Sequence, residues 1–245
     1  MYHFFVEPGQ IDGSHIHITG EDVNHIKNVL RMKPGEKILV SNGIDRDYHC
    51  EVESLTGEEV TAKILSVDEE GTELPAKLYL FQGLPKGDKM ELIVQKAVDL
   101  GVYRIIPVAA KRSVVKLEPK KEEARLKRWN SIAESAAKQS KRIIIPEVAP
   151  VMSLKEAFAW AKGFDVNVIP YEHAEGIEGS REELKRIQPG MEVGIFIGPE
   201  GGFDESEIEA ALQDDIRPVT LGKRILRTET AGLAILSILM FQLER

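Results

Sequence analysis

From Lys77 onward, short apolar runs alternate with amphipathic stretches. Leu78–Gln82, Arg104–Ala109, Val166–Ile169, Val193–Ile197 and Pro218–Leu221 are continuous runs rather than in/out alternations. Such runs predict strands buried on both faces. Between them, Lys89–Leu100, Glu122–Ser140, Ser153–Ala161, Gly232–Leu243 and the stretches opening at Ser180 and Asp204 read as helices. Met90, Ile93, Val94 and Ala97 share one helical face, and Gly101 falls at the C′ position. Ser153 with Glu156, Ser180 with Glu183, and Asp204 with Glu207 have capping-box spacing. This order predicts an α/β domain over residues 74–245, with a parallel sheet covered by helices on both faces.

Residues 1–70 have a different rhythm. Tyr2–Val6, His15–Thr19, Lys37–Ser41, Tyr48–Leu55 and Val60–Val67 are short strand-like segments. Asn42-Gly43 and Thr56-Gly57 supply turns. Val23, Ile26, Val29 and Leu30 recur at helical spacing after Thr19-Gly20-Glu21-Asp22, predicting a helix that ends near Met32. Several strands and one helix in so short a segment predict a small β-barrel. Asp68–Glu73 is acidic, contains Gly71 and lacks apolar residues, as a linker does.

Composition narrows the chemistry. The chain has 245 residues, a net charge of −8 and a single cysteine, Cys50, so an internal disulfide and a multi-cysteine metal site are excluded. His3, His15 and His17 have no ligand partners at metal spacing, so no metal is expected. Met1–Pro8 does not read as a signal peptide, and no apolar run is long enough to span a bilayer. The expected compartment is the cytoplasm. The acidic sum hides a basic segment. Lys111–Arg142 holds eleven Lys or Arg against four Asp or Glu. It can serve as a footprint for a polyanion or be a solvated helix face.

The chemistry concentrates where strands end. Val193–Ile197 runs into Gly198-Pro199-Glu200-Gly201-Gly202-Phe203, and a helix begins at Asp204. Pro218–Leu221 runs into Gly222–Arg227, and Thr228 opens the last helix. Open α/β sheets bind ligands at carboxyl strand ends. Adjacent Ile225 and Leu226 between Arg224 and Arg227 suggest a loop that lines a buried pocket. Neither loop is a Walker A or Gly-x-Gly-x-x-Gly motif. Tyr171 and Glu172 end a third strand and either wall the same pocket or form an ordinary exit.

Ile197–Phe203 and Leu221–Ala231 together resemble the SPOUT class of RNA methyltransferases. Within it, they are similar to the bacterial family that methylates N3 of a uridine in 16S ribosomal RNA. The resemblance spans essentially the whole chain. It implies a PUA-like RNA-binding barrel over residues 1–70 and a SPOUT domain over 74–245 with a deep trefoil knot holding S-adenosylmethionine. It assigns the cofactor pocket to Tyr171 and Glu172, to Gly198, Pro199, Glu200, Gly201 and Gly202, and to Leu221, Gly222, Ile225, Leu226, Arg227 and Thr230. It implies a homodimer, and 16S ribosomal RNA, within the 30S subunit, as partner. Arg227 is the candidate for stabilising negative charge on uracil, or else a structural arginine. Glu200 and Glu229 are the candidate bases, and Glu229 is alternatively a charge at a helix N-terminus. Arg31, Lys86, Arg112, Lys138, Lys141 and Arg142 are the candidate RNA contacts, with ordinary surface charge as the alternative. Two rival functions remain at this point: methylation of ribose 2′-hydroxyls, and non-catalytic RNA binding.

Overall fold

A computed structural model describes residues 1–69, 71–114, 119–174 and 176–244. Glu70 of the linker, Val115–Glu118 of the basic segment and the terminal Arg245 lie outside the described residues. The chain divides into two compact units. One is Met1–Glu73 with Ala137–Ile145, and the other is Leu74–Ala136 with Pro146–Arg245. Ala137–Ile145, expected in the second domain, belongs to the first unit.

In the first unit six strands form one sheet. They are β1 (Tyr2–Phe5), β2 (Ile11–Asp12), β3 (His15–Thr19), β4 (Lys37–Ser41), β5 (Asp47–Leu55) and β6 (Glu59–Asp68), in the order β1-β4-β5-β6-β3-β2. Only β1 and β4 pair in parallel. No ladder joins β1 to β2 among the described residues, so the sheet is open where a closed barrel was expected. It covers an apolar core of Phe4, Ile16, Ile18, Ile38, Val52 and Val60, completed by Val23 and Ile26 from the helical segment. That segment differs from expectation. The helix α1 covers only Glu21–Asn24, and Gly20 caps it at φ 74°. His25–Val29 continue as a π-turn, with Leu30 N–H donating to His25 O, and Arg31 exits at φ 55°. Cys50 lies in this core, where burial pushes its thiol up to about 12 and leaves it inert.

Thr72 and Glu73 of the linker are tied to the end of the basic segment. Glu73 accepts two hydrogen bonds from Arg142 Nε, at 2.9 and 3.0 Å, and one from Arg142 Nη2 at 2.5 Å. It also accepts from Ile143 N at 2.9 Å. Thr72 Oγ1 donates to Lys141 O at 2.7 Å. Arg142 is only 3% exposed, so its guanidinium is a structural cation and not a phosphate contact. This corrects the expected RNA role of Arg142. Lys138 is spoken for as well, 3.1 Å from Asp22. Replacing Arg142 with Ala leaves Glu73 without its counter-charge. Urea unfolding of the full-length protein is expected to show a loss of about 3 kcal/mol in the transition of this unit.

His3, Ser41 and Asp47 form a second buried polar group. His3 Nε2 lies 2.5 Å from Ser41 Oγ, and Ser41 Oγ donates to Asp47 Oδ1. Burial pushes His3 down to about 4 from 6.5. A histidine with a lowered folded pKa binds more protons when unfolded. Its contribution is therefore whole above about pH 6.5 and is lost as pH falls toward 4. Asp47, which burial holds above its usual value, acts in the opposite sense at the acid end. Unfolding measured between pH 7 and 4 is expected to show a falling slope that His3→Asn flattens.

The second unit is a seven-stranded, wholly parallel sheet. Its strands are β7 (Lys77–Gly83), β8 (Arg104–Ala109), β9 (Glu147–Val148), β10 (Met152–Ser153), β11 (Val166–Pro170), β12 (Glu192–Ile197) and β13 (Arg217–Val219). The order is β10-β8-β7-β12-β11-β13, with β9 also pairing β8. Its helices are α2 (Lys89–Asp99), α3 (Pro119–Ser140, whose end from Ala137 falls in the first unit), α4 (Leu154–Ala161), α5 (Ile177–Lys185), α6 (Glu205–Gln213) and α7 (Thr228–Leu243). Phe81 and Phe196 stack at 4.3 Å in a core that takes Ala157 and Phe158 from α4 and Ile208 and Ala211 from α6. On the other face, Gly232 of α7 lies over Leu80, Gln82 and Ile197. The boxes at Ser153 and Asp204 form. The one at Ser180 does not. Helix α5 starts at Ile177, and Ser180 is buried inside it, donating to Gly176 O and accepting from Thr220 N. A serine inside a helix can bond back to the preceding turn, so spacing alone misread it.

Candidate functional site

The central strands β12 and β11, with β13, end at one place, and parallel pairing makes them end together. Val193 sits opposite Val166, and Ile169 opposite Pro218. A cleft of about 300 Å³ opens there. Its first wall is the loop after β12. Gly198 packs so closely on Gly202 that a Cβ would meet the Gly202 carbonyl carbon at 3.1 Å. Gly202 N–H donates to Pro199 O at 2.9 Å, and Gly202 takes φ 66°, a conformation natural to glycine. Asp204 then caps α6, with Glu207 Oε2 accepting from Asp204 N. The second wall is the loop after β13. Thr220 Oγ1 accepts from Gly222 N, and Gly222 takes φ 120°. The third wall is the exit of β11, where Tyr171 N–H donates to Val219 O at 3.0 Å.

Ten of the thirteen expected pocket residues line this cleft: Tyr171, Glu172, Gly198, Glu200, Gly201, Gly202, Leu221, Gly222, Ile225 and Leu226. Pro199, Arg227 and Thr230 are not in its lining. Pro199 is buried behind the loop, and Thr230 is exposed on α7. Ile225 lines the cleft but is 81% exposed, so its side chain adds little buried apolar wall. Sequence reasoning missed seven contributors. Ile197, Phe203, Thr228 and Ala231 lie within the two motifs, and Pro170 and Thr220 immediately precede expected pocket residues. These six were recoverable by taking each motif whole and extending each wall one residue back into its strand. Arg224 was visible as a charge but had no distinguishing signal. A Cβ on Gly201 would meet Arg112 Cβ at 3.1 Å.

The charged groups around the loop are tied to one another. Glu200 Oε1 accepts from Lys86 N at 3.0 Å and from Lys89 Nζ at 2.9 Å. Lys89 Nζ is also 3.4 Å from Glu229 Oε2. Burial pushes the Glu200 carboxyl up, but the hydrogen bonds from Lys89 and the Lys86 N–H outweigh it, and the group is held below the usual carboxylate range. The hydrogen bond to Glu200 raises Lys89 in turn. A carboxylate so stabilised is a poor proton acceptor, which weakens the case for Glu200 as a base. Glu229 Oε2 is buried and makes no hydrogen bond, although it lies at ion-pair distance from Lys89. Arg227 is exposed. Its backbone caps α7, with its carbonyl accepting from Thr230 N and Ala231 N at 2.8 Å. Among the described residues its guanidinium has no hydrogen bond or ion pair, so it does not bond loop carbonyls. Arg112 donates to Gly201 O and Asp204 Oδ2, both at 3.2 Å. Lys86, Lys141 and Arg31 are exposed. Among the described residues, no group of three or more His, Cys, Asp or Glu could hold a metal ion, and no helix is long and apolar enough to cross a membrane.

A parallel α/β sheet with a glycine-walled cleft at its strand ends is an architecture that binds ligands at that edge. A family model described as an RNA methyltransferase domain matches residues 72–240, and one described as an RNA methyltransferase PUA domain matches residues 18–65. The chain belongs to this RNA methyltransferase family. It is 40% identical over 230 residues to a Bacillus subtilis protein named ribosomal RNA small subunit methyltransferase E, covering 93% of this chain and 90% of that one. A ribosomal RNA small subunit methyltransferase E from Neisseria gonorrhoeae, solved bound to S-adenosyl methionine, superposes with a TM-score of 0.84 at 32% identity. The match covers 98% of this chain and 97% of that one. A putative methyltransferase from Legionella pneumophila, solved with S-adenosylmethionine, gives 0.83 at 31% identity, over 97% and 96% of the two chains.

The Lys89 bridge has a direct test. Lys89→Met removes the donor that holds Glu200 ionised and leaves its burial in place. The Glu200 carboxyl, followed by carbon NMR across an acid titration, is expected to move upward.

Proposed function

We propose that this protein is an S-adenosylmethionine-dependent methyltransferase acting on N3 of a uridine in 16S ribosomal RNA of the small ribosomal subunit. One observation carries the reading: two glycine-containing loops, from the strands on either side of β11 in a parallel sheet, meet in one cleft in a chain 40% identical to a small-subunit ribosomal RNA methyltransferase. The cleft suits the cofactor. Ile197, Leu221 and Leu226 supply apolar wall for a purine, the glycine loops supply backbone, and the Glu200 carboxylate tolerates a cation. When bound, S-adenosylmethionine offers an electrophilic methyl group carried on a sulfonium sulfur.

Uridine N3 carries a proton at neutral pH, so the protein must remove it or stabilise the anion left behind. Arg227 follows Leu226 and precedes Thr228, which both line the cleft, and its guanidinium is uncommitted among the described residues. It is suited to hold developing charge on the uracil carbonyls. Of the two candidate bases, Glu229 is favoured over Glu200. Its buried Oε2 lies at ion-pair distance from Lys89, 3.4 Å, without a hydrogen bond, whereas Glu200 Oε1 accepts hydrogen bonds from both Lys86 N and Lys89 Nζ. In-line transfer then depends on placing acceptor and methyl carbon together.

The remaining parts of the reading rest chiefly on the family resemblance. They are the trefoil knot, the homodimer, the cytoplasmic location and RNA contact through Arg31 and Lys141 of the first unit and Lys86 and Arg112 of the second. The dimer has added support from α7, where Ile238 and Phe241 are 46% and 84% exposed. Single-turnover methylation of 30S subunits followed by nucleoside mass spectrometry tests the reaction. N3-methyluridine is the expected product, and a methyl group on ribose or another base would refute the assignment. Arg227→Ala is expected to slow methylation by about 3–4 kcal/mol, roughly a hundred- to a thousandfold, with a smaller loss of RNA affinity. Arg227→Lys should recover part of the rate.

A further inference from the structure

We propose that Gln82 is a positioning residue for the cofactor loop, acting on Gly198 through the hydroxyl of Thr228. The inference rests on the cleft being the cofactor site but concerns a residue outside its lining. Gln82 lies near the end of β7 and is fully buried. Its Nε2 donates to Gly83 O at 3.0 Å and to Thr228 Oγ1 at 2.9 Å. Thr228 Oγ1 donates to Gly198 O at 2.6 Å. A hydroxyl has one proton and two acceptor lone pairs, so it can accept from Gln82 and donate to Gly198 at once. The direction is thereby fixed: amide to hydroxyl to carbonyl. The amide cannot be reversed, because Oε1 would then face the Gly83 carbonyl.

The relay joins three elements that no local sequence feature connects. Gln82 is 146 residues from Thr228, and Thr228 is 30 residues from Gly198. They are the end of β7, the first residue of α7 and the first residue of the glycine loop. The same seam is held sterically, since a Cβ on Gly83 would come within 2.6 Å of Pro199 N. Gln82 Oε1 is itself buried without a hydrogen bond. An unsatisfied buried acceptor is costly, so an amide here calls for a reason. The two donated protons provide it. A side chain of similar size without them would leave both the Gly83 carbonyl and the Thr228 hydroxyl short of a donor. The loop after β12 and the N-terminus of α7 form two sides of the cleft, so the relay sets their spacing before any ligand arrives.

Gln82→Met keeps the volume and removes both protons, and Thr228→Val removes the hydroxyl at nearly constant shape. Isothermal titration with S-adenosylmethionine, without RNA, is expected to show roughly tenfold weaker binding for each. The double variant should be little worse than either, as for two links of one chain. Amide exchange, read by mass spectrometry on a peptide spanning 198–203, should quicken in Gln82→Met while peptides from β12 keep their protection. Unchanged affinity and unchanged exchange in Gln82→Met would overturn the proposal, as would strictly additive losses. A wild-type protein that does not bind S-adenosylmethionine would refute the functional reading, and the exchange measurement would still decide the relay.

Discussion

The cleft depends on one constraint, the parallel pairing of β11 with β12 on one side and β13 on the other. Parallel strands end on the same edge, so three loops that lie far apart in the chain are delivered to one place. The hydrophobic core enforces that register. The Phe81–Phe196 stack and the Leu80, Ile195 and Ile197 side chains fill opposite faces of β7 and β12, and a one-residue slip would exchange them. The glycines matter only because of this arrangement. Gly198 and Gly83 are needed where backbone meets backbone, not because loops in general favour glycine.

Charge around the cleft is organised rather than merely present. Lys89 bridges Glu200 and Glu229, and Arg112 ties the Gly201 carbonyl to Asp204. Both cations are partly exposed, so these pairs add little stability. Their effect is to set which acid is available. Glu200 accepts two hydrogen bonds, Glu229 Oε2 is buried at ion-pair distance from Lys89 without a hydrogen bond, and Arg227 keeps a free guanidinium among the described residues. Two similar carboxylates are thereby made chemically unequal by their neighbours.

The basic segment shows how charge counting and structure part company. Eleven cations between Lys111 and Arg142 suggest a polyanion footprint. Yet Arg142 is buried against Glu73, Lys138 is paired with Asp22, and Arg128 donates to Glu91 at 2.5 and 2.7 Å. The acidic linker and the basic helix end satisfy each other, and the charges left for a phosphate are fewer than the sequence suggests.

The sequence by itself determined the elements and the motif positions. Buried strands announce themselves as unbroken apolar runs, and capping boxes and glycine turns involve hydrogen bonds within a few residues. Ser153, Asp204, Gly101 and the turn at Gly198–Gly202 were therefore legible without a structure. The whole-chain resemblance supplied the class of reaction. Only the tertiary structure decided which side chains are committed. That Ser180 bridges to Thr220, that Lys89 holds Glu200 from 111 residues away, and that Gln82 reaches Thr228 depends on strand order and helix docking. Such pairs leave no local periodicity, because the energy that selects them comes from packing the whole sheet rather than from any one segment.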